Sequence, residues 1–334
     1  MRELTMSAHH QAREKARSFW RSLLTNRALT LLILVIFISI VMTIFFPKYF
    51  INYYNIRQLL FYLSTPGILA VGMMFLIVAG MFDLSIGGNL AMAGAITGAI
   101  LVAVPTFPVP LAIGIAMIAS TFAGFLQGFL VAYIGVNALI TTLAMMGMLR
   151  GIAIMLAKHP IHLPEAVANL GAPFILGFQI PSYYMVAIVI AGAFLLARTR
   201  YFRQLYFIGG NRRAAELSGI NSRLVLLVTF IISGFLAGFV GVVQAASTTA
   251  AIGIIQEGIE LKVITAVIIG GGSLTGGKGT VFGAFMGAFL MLLLDTIMTI
   301  ASVNNMYQPF IIGIILVLAV TLDVVIQKKY GASR

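Results

Sequence analysis

From residue 84 to residue 149 the chain carries no Asp, Glu, Lys or Arg, and residues 28–46 and 58–82 are equally free of charge. Runs of this length cannot form a water-facing surface. An average soluble domain has about 25% charged residues, whereas this chain has 9%, with 60% drawn from the set AVILMFWYC. A bilayer core about 30 Å thick needs about 20 apolar residues per helix. The chain therefore reads as an all-α polytopic membrane protein, and a soluble enzyme is excluded. A transmembrane barrel would show alternating segments of about 10 residues, but residues 31–37 are apolar on every side. The absence of cysteine removes disulfides and thiolate metal sites and leaves redox compartment unread.

Ten spans are expected, near 28–46, 59–81, 84–104, 109–134, 137–157, 182–197, 224–246, 258–271, 280–301 and 307–326. A basic stretch precedes a first apolar segment that is too long for a signal h-region and lacks a small-residue cleavage site, so the first helix is expected to be retained. Lys and Arg in short flanks resist translocation. Sixteen of the 21 basic residues fall on one side if both termini and the 198–223 loop are cytoplasmic. The expected organisation is a basic segment 1–27, one permease domain 28–326 and a basic tail 327–334. The net charge of +12 is accounted for by these flanks, without nucleic acid. His159 and His162 in the opposite-side loop have no third ligand nearby, so no metal site is expected.

Gly272-Ser-Leu-Thr-Gly-Gly277-Lys278-Gly279 has the G-x-x-x-x-G-K spacing of a phosphate loop. That chemistry needs Ser or Thr after the Lys and a strand before the loop. Gly279 stands there instead, and both flanks read as membrane helices, so the stretch is expected to be a glycine-rich break and no cofactor is assigned to this chain. Gly94/Gly98, Gly124/Gly128, Gly234/Gly238 and Gly283/Gly287 put small residues on single helix faces, where backbones can approach closely.

Two segments carry more information. In Ala79-Gly-Met-Phe82-Asp83-Leu-Ser85-Ile-Gly87-Gly88-Asn89 one carboxylate interrupts an apolar stretch. An ionisable group there marks a pathway or a fixed turn, and Asp83 can cap the following helix by accepting from amides near Ser85. The second is the basic loop, Gly209-Gly210-Asn211-Arg212-Arg213-Ala214-Ala215-Glu216-Leu217-Ser218-Gly219. Asn211 is a good N-cap and Gly219 a good stop, so a short helix is expected over 212–217. Ala214, Ala215 and Leu217 give it an apolar face suited to a groove in a soluble partner.

Gly80-Met-Phe-Asp-Leu-Ser-Ile-Gly87 resembles the G-x-x-D-L-S-x-G signature of permease subunits of bacterial ribose/xylose/arabinose-type sugar ABC transporters. Gly209-Gly-Asn-x-x-Ala-Ala-x-x-Ser-Gly-Ile220 resembles their cytoplasmic coupling motif. Asn137-Ala-Leu-Ile-Thr-Thr-Leu-Ala144 with Arg150-Gly151, and Gly270-Gly-Gly-Ser-Leu-Thr-Gly-Gly277, are similar to that family as well, in the right order between about 55 and 325. Met81-Phe82 departs from the usual glycine and isoleucine, and Phe82 looks more like the arabinose branch. The resemblance implies an importer-type ABC permease fold in the bacterial inner membrane, paired with a second permease copy. It implies cytoplasmic ATP-binding subunits that hold Mg-ATP and a periplasmic sugar-binding protein. Carried over to this chain, residues 209–220 would transmit ATP-driven closure, and Phe82, Asp83, Ser85, Asn89, Asn137 and Thr141 would line or adjoin the pathway.

An ion-coupled carrier would need titratable groups in the membrane; the candidates are Asp83, Arg150, Glu257, Glu260, Lys262 and Asp295, the last without an evident partner. A permease for branched-chain amino acids is the nearest alternative. An intramembrane enzyme lacks a nucleophile–base pair, since the four histidines fall outside the expected spans.

Overall fold

The computed structural model describes residues 27–50, 52–304, 306–315, 317–318 and 321. The helices are α1 (Arg27–Phe45), α2 (Pro47–Phe50), α3 (Tyr53–Val78), α4 (Ile86–Ala103) and α5 (Val109–Phe129), which ends in a π-turn over Leu130–Ile134. They continue with α6 (Ala138–Leu156), α7 (Glu165–Ala168), α8 (Ile180–Arg198), α9 (Arg200–Gly210), α10 (Arg212–Leu217), α11 (Ser222–Thr248), α12 (Ile259–Ile269) and α13 (Val281–Ile300). Two antiparallel strand pairs close one end, β1 (Ile161–His162) with β4 (Ala250–Ala251) and β2 (Phe174–Ile175) with β3 (Phe178–Gln179).

Seven of the described helices, α3, α4, α5 with its π-turn, α6, α8, α11 and α13, are long and apolar enough to cross a bilayer. They match seven of the ten expected spans. Side-chain caps set many of their starts: Asn52 accepts from Tyr54 N, Asn137 from Leu139 N, Asn221 from Leu224 N and Thr280 from Gly283 N, each satisfying an amide that the helix leaves unpaired. The expected span 28–46 is α1, whose apolar stretch is the shorter Leu29–Phe45. Within the tenth expected span residues 308–315, 317–318 and 321 are helical, while 316, 319–320 and 322–326, like the segment 1–26 and the tail 327–334, lie outside the described residues.

The expected span 258–271 is corrected. Only the eleven residues of α12 are helical, a rise of about 16 Å and roughly half a bilayer core. Gly258 at φ +80° precedes it, and Gly271, Gly276, Gly277 and Gly279, all at positive φ, unwind the chain after it. Irregular backbone at membrane depth has to be satisfied by protein. Arg150 does this for the segment leading into α12, donating from Nη1 to Ile255 O at 2.7 Å and to Gly253 O at 3.5 Å.

The core runs along α3 and α11. Nearly every residue of α3 from Leu63 to Val78 is buried, so its sequence shows no polar face. The expected small-residue faces make the seams: a Cβ on Gly124 would press on Phe230 O and Gly234 Cα, one on Gly94 on Gly241 O, and one on Gly287 on Ala266 O. Helices α5, α6 and α8 leave much of their apolar surface exposed, as lipid-facing helices do.

Candidate functional site: a docking helix and a buried polar node

Helices α9 and α10 project at the end of the bundle that carries Arg198, Arg200, Arg203, Arg212, Arg213, Arg223 and Lys278, here the basic end. Helix α10 forms as its residues dictate. Asn211 Oδ1 accepts from Ala214 N at 3.0 Å. At the other end Ile220 N donates to Ala215 O and Gly219 N to Glu216 O, with Gly219 at φ +84°, the paired bonds of a Schellman stop. Leu217 at the tip is 85% exposed. Arg213, Ala214, Glu216 and Ser218 are also exposed, and Arg212 pairs with Glu216 at 3.1 Å on the outer face. Ala215 points the other way, 4% exposed and packed into the main core. Its methyl seats the helix; Leu217 and Ala214 present it. A shallow groove of about 480 Å³ runs between α9 and α10, lined by Tyr206, Phe207, Asn211, Ala214 and Ser218 among others.

The unit is keyed to the bundle through glycine. A Cβ on Gly209 would overlap Val78 O at the end of α3, and one on Gly276 would lie 2.8 Å from Gly209 Cα. Gly277 N donates to Val78 O at 2.8 Å, and Tyr206 Oη donates to Gly279 O at 2.8 Å. Three segments that are separate in sequence, 78–80, 209–210 and 276–279, thus meet at one junction. The 272–279 stretch sits between two helices, where a phosphate loop would follow a strand.

Inward from the junction lies a polar node. Asp83 is 1% exposed. Its Oδ1 accepts from Ser85 N at 2.8 Å and Ser85 Oγ at 2.6 Å, and its Oδ2 accepts from Ser233 Oγ at 2.9 Å. Ser85 Oγ accepts in turn from Gln127 Nε2 at 2.6 Å. Asn89 Nδ2 donates to Ser120 O and Gly234 O. The carboxylate thereby fixes the turn into α4 and ties that helix to α5 and α11. Buried charges survive only when hydrogen-bonded in this way.

Of the sequence-expected pathway residues, Asp83, Ser85 and Asn89 share this node, and Phe82 is half-buried beside it against the main core. Asn137 and Thr141 stand apart near the basic end: Asn137 caps α6 and is exposed, while Thr141 is buried and donates to Asn137 O at 3.0 Å. Ser233, Gln127 and Ser120 are partners that sequence reading missed, because ordinary polar residues in apolar helices give no signal of where they meet. Asp295 does have a partner, contrary to expectation: Lys262 Nζ lies 3.1 Å from its Oδ2. Two opposite charges inside adjacent expected spans were the available signal.

The family described as branched-chain amino acid transport system / permease component matches residues 55–320. A ribose import permease protein of Haemophilus influenzae is 32% identical over 311 residues, 91% of this chain and 94% of its own length. An L-arabinose ABC transporter permease protein of Azospirillum brasilense is 32% identical, covering 92% and 90%. A D-allose transport system permease protein of Escherichia coli K12 is 32% identical, covering 84% and 87%. No solved structure matches the chain at a significant level. With the family model matching residues 55–320 and these relatives covering most of the chain, the chain belongs to this family of transport-system permease components.

Proposed function

We propose that the chain is the membrane-spanning subunit of an ATP-driven importer for monosaccharides of the pentose or hexose class, in the bacterial inner membrane. It is a transport subunit and not an enzyme. The observation that carries the solute class is that relatives named for ribose, arabinose and allose match over 87–94% of their own lengths. The family description names branched-chain amino acids, but with these relatives in hand that alternative is not favoured.

The positive-inside rule puts the basic end in the cytoplasm. There α10 offers Leu217 and Ala214 to a groove in an ATP-binding subunit, a helix-in-groove contact, and residues 209–219 act as the coupling element. The backbone contacts of Gly209 with Val78 and Gly277 support this role, since a displaced α10 would press on α3 and on the loop into α13. A second permease copy completes the pathway, and a periplasmic sugar-binding protein delivers solute at the opposite end. Asp83, Ser85 and Asn89 hold the helices behind the pathway, because each is buried within one protomer.

Proteoliposomes containing the permease, its ATPase and its binding protein test the reading. ATP-dependent uptake of labelled D-ribose, L-arabinose or D-allose, with none of L-leucine, is expected. Uptake of leucine alone would overturn it, and so would accumulation of solute by the permease without the ATPase.

A further inference from the structure

Between α3 and α13, in their halves remote from the basic end, lies a cavity of about 370 Å³, within the ~300–1,000 Å³ usual for small-molecule sites. Its lining changes with depth. Asn55, Gln58 and Tyr62 follow one face of α3, and Asp295, Thr296 and Thr299 face them from α13. Tyr62 and Thr299 are exposed at the mouth. Further in, Pro66, Ala266, Ala288 and Met291 close the floor with apolar groups. Beneath that floor α12 and α13 touch backbone to backbone: a Cβ on Gly287 would overlap Ala266 O, and one on Gly283 would overlap Gly270 O. The α12–α13 seam therefore closes the cavity between those two helices toward the basic end.

One turn above that floor stands the pair Lys262–Asp295, with N···O 3.1 Å and side chains 33% and 26% exposed. The second carboxylate oxygen of Asp295 is buried without a hydrogen-bond partner among the described residues. Gln256 at the rim holds φ +54°, a strained backbone of the kind that clusters at ligand sites. Charges are costly against hydrocarbon, so a wall carrying this pair has to face water or protein. A net-neutral donor–acceptor pair fits adjacent hydroxyls, one donating to the carboxylate while its neighbour accepts from the ammonium. It offers no net charge to attract an ionic solute.

We infer that this cavity is the solute-binding vestibule of the protomer, and that Lys262 and Asp295 grip a vicinal diol of a neutral monosaccharide. The inference rests on the sugar-importer reading above and gives it a site. The vestibule opens on the face opposite the docking helix, where a binding protein would release its cargo.

The chain has no cysteine, so Gln58→Cys places a single thiol in the cavity wall. In the assembled transporter, saturating D-ribose, L-arabinose or D-allose should slow its labelling by a membrane-impermeant methanethiosulfonate at least threefold. Glu165→Cys, exposed at the start of α7 and outside the cavity lining, should gain no protection. Adding Asp295→Asn should remove the protection and lower sugar uptake at least tenfold. Should Asp295→Asn fail to assemble, protection of Gln58→Cys decides alone, because a pair that merely pins α12 to α13 would not make labelling sugar-dependent. Sugar uptake with unprotected Gln58→Cys overturns the cavity and leaves the importer reading standing. Uptake of none of the three sugars overturns the sugar reading, and the diol contact with it.

Discussion

Gly209 and Gly210 are adjacent in the last turn of α9 and are equivalent to any reader of the sequence, yet their surroundings differ. A Cβ on Gly209 would overlap Val78 O and lie 2.5 Å from Gly277 N, whereas one on Gly210 meets nothing within 4 Å. Both contacts at Gly209 are backbone, so no change of rotamer relieves them. Overpacking of this kind costs about 1–3 kcal/mol, offset in part by the roughly 0.5–1 kcal/mol that alanine gains over glycine in a helix. Gly210→Ala keeps the gain without the clash and should be neutral or slightly stabilising. The two variants should therefore differ by the steric term, about 1–3 kcal/mol, or about tenfold in equilibrium constant for each 1.4 kcal/mol. Thermal unfolding of the purified permease in detergent, followed by far-UV circular dichroism, reads the difference directly. ATP-coupled uptake should fall in Gly209→Ala and persist in Gly210→Ala. Equal unfolding midpoints, or a lower one for Gly210→Ala, would refute the placement of the α9–α3 junction and the coupling argument built on it.

Leu217→Asp, at an 85% exposed tip, should leave stability within about 0.5 kcal/mol and abolish ATP-coupled uptake; wild-type uptake would count against docking through α10. Ala215→Asp, by contrast, buries a charge in the core and should reduce the yield of folded permease, so an undiminished yield would show that the methyl faces outward. Asp83→Ala leaves Ser85 and Ser233 without their acceptor and should cost about 3 kcal/mol or more, whereas Asp83→Asn keeps an acceptor and should retain more assembled complex; equal recoveries after solubilisation would dismiss the node. Tyr206→Phe removes one bond to Gly279 O, worth about 0.5–1.5 kcal/mol. Burial pushes the Tyr206 phenol above its usual 10.0, with Arg203 acting against it. A raised folded value means that the tie is fully present below pH 10.0 and is lost as pH climbs through that higher value. The wild-type minus Tyr206→Phe difference should be flat from pH 7 to about 9, and a decline across that window would contradict the buried geometry.

The elements that could be read from sequence are those whose cause is local. Residues 212–217 form the expected helix because the cap, Asn211, and the stop, Gly219, lie within a turn of it. The long spans follow from uncharged length alone, and the Gly124 and Gly234 faces follow from spacing, which states that a close neighbour is needed without naming it. What escaped depends on non-local pairing. The expected span 258–271 is apolar apart from Glu260 and Lys262, and the glycines at positive φ after Ile269, with Arg150 satisfying the segment before Gly258, show why its helix stops at eleven residues. Ala215 looked like part of a docking face because hydrophobicity marks a surface to be covered but not by which partner. Its cover is this chain's own core. Asp295 looked solitary because Lys262 lies 33 residues away on another element.

On the proposed docking and solute sites, the shortened α12 would lie between the two. Its first turns carry Lys262 in the wall of the polar cavity, and its far end runs into the 270–279 stretch, which bonds to Val78 and packs on Gly209. A helix that crosses the whole bilayer is held at both ends by the water interfaces. One of about 16 Å is held only by the protein around it, so its position follows the loops at its ends. Under the proposed coupling role, a load applied to α10 would reach Gly209, whose near neighbours are backbone and not side chains that can rotate away. Gly271, Gly276, Gly277 and Gly279 all sit at positive φ, conformations open to glycine at little cost. Coupling by this route requires displacement of α12 along the α13 seam at Gly283 and Gly287. That seam is also what closes the cavity floor, so a stroke transmitted along it would reshape the cavity.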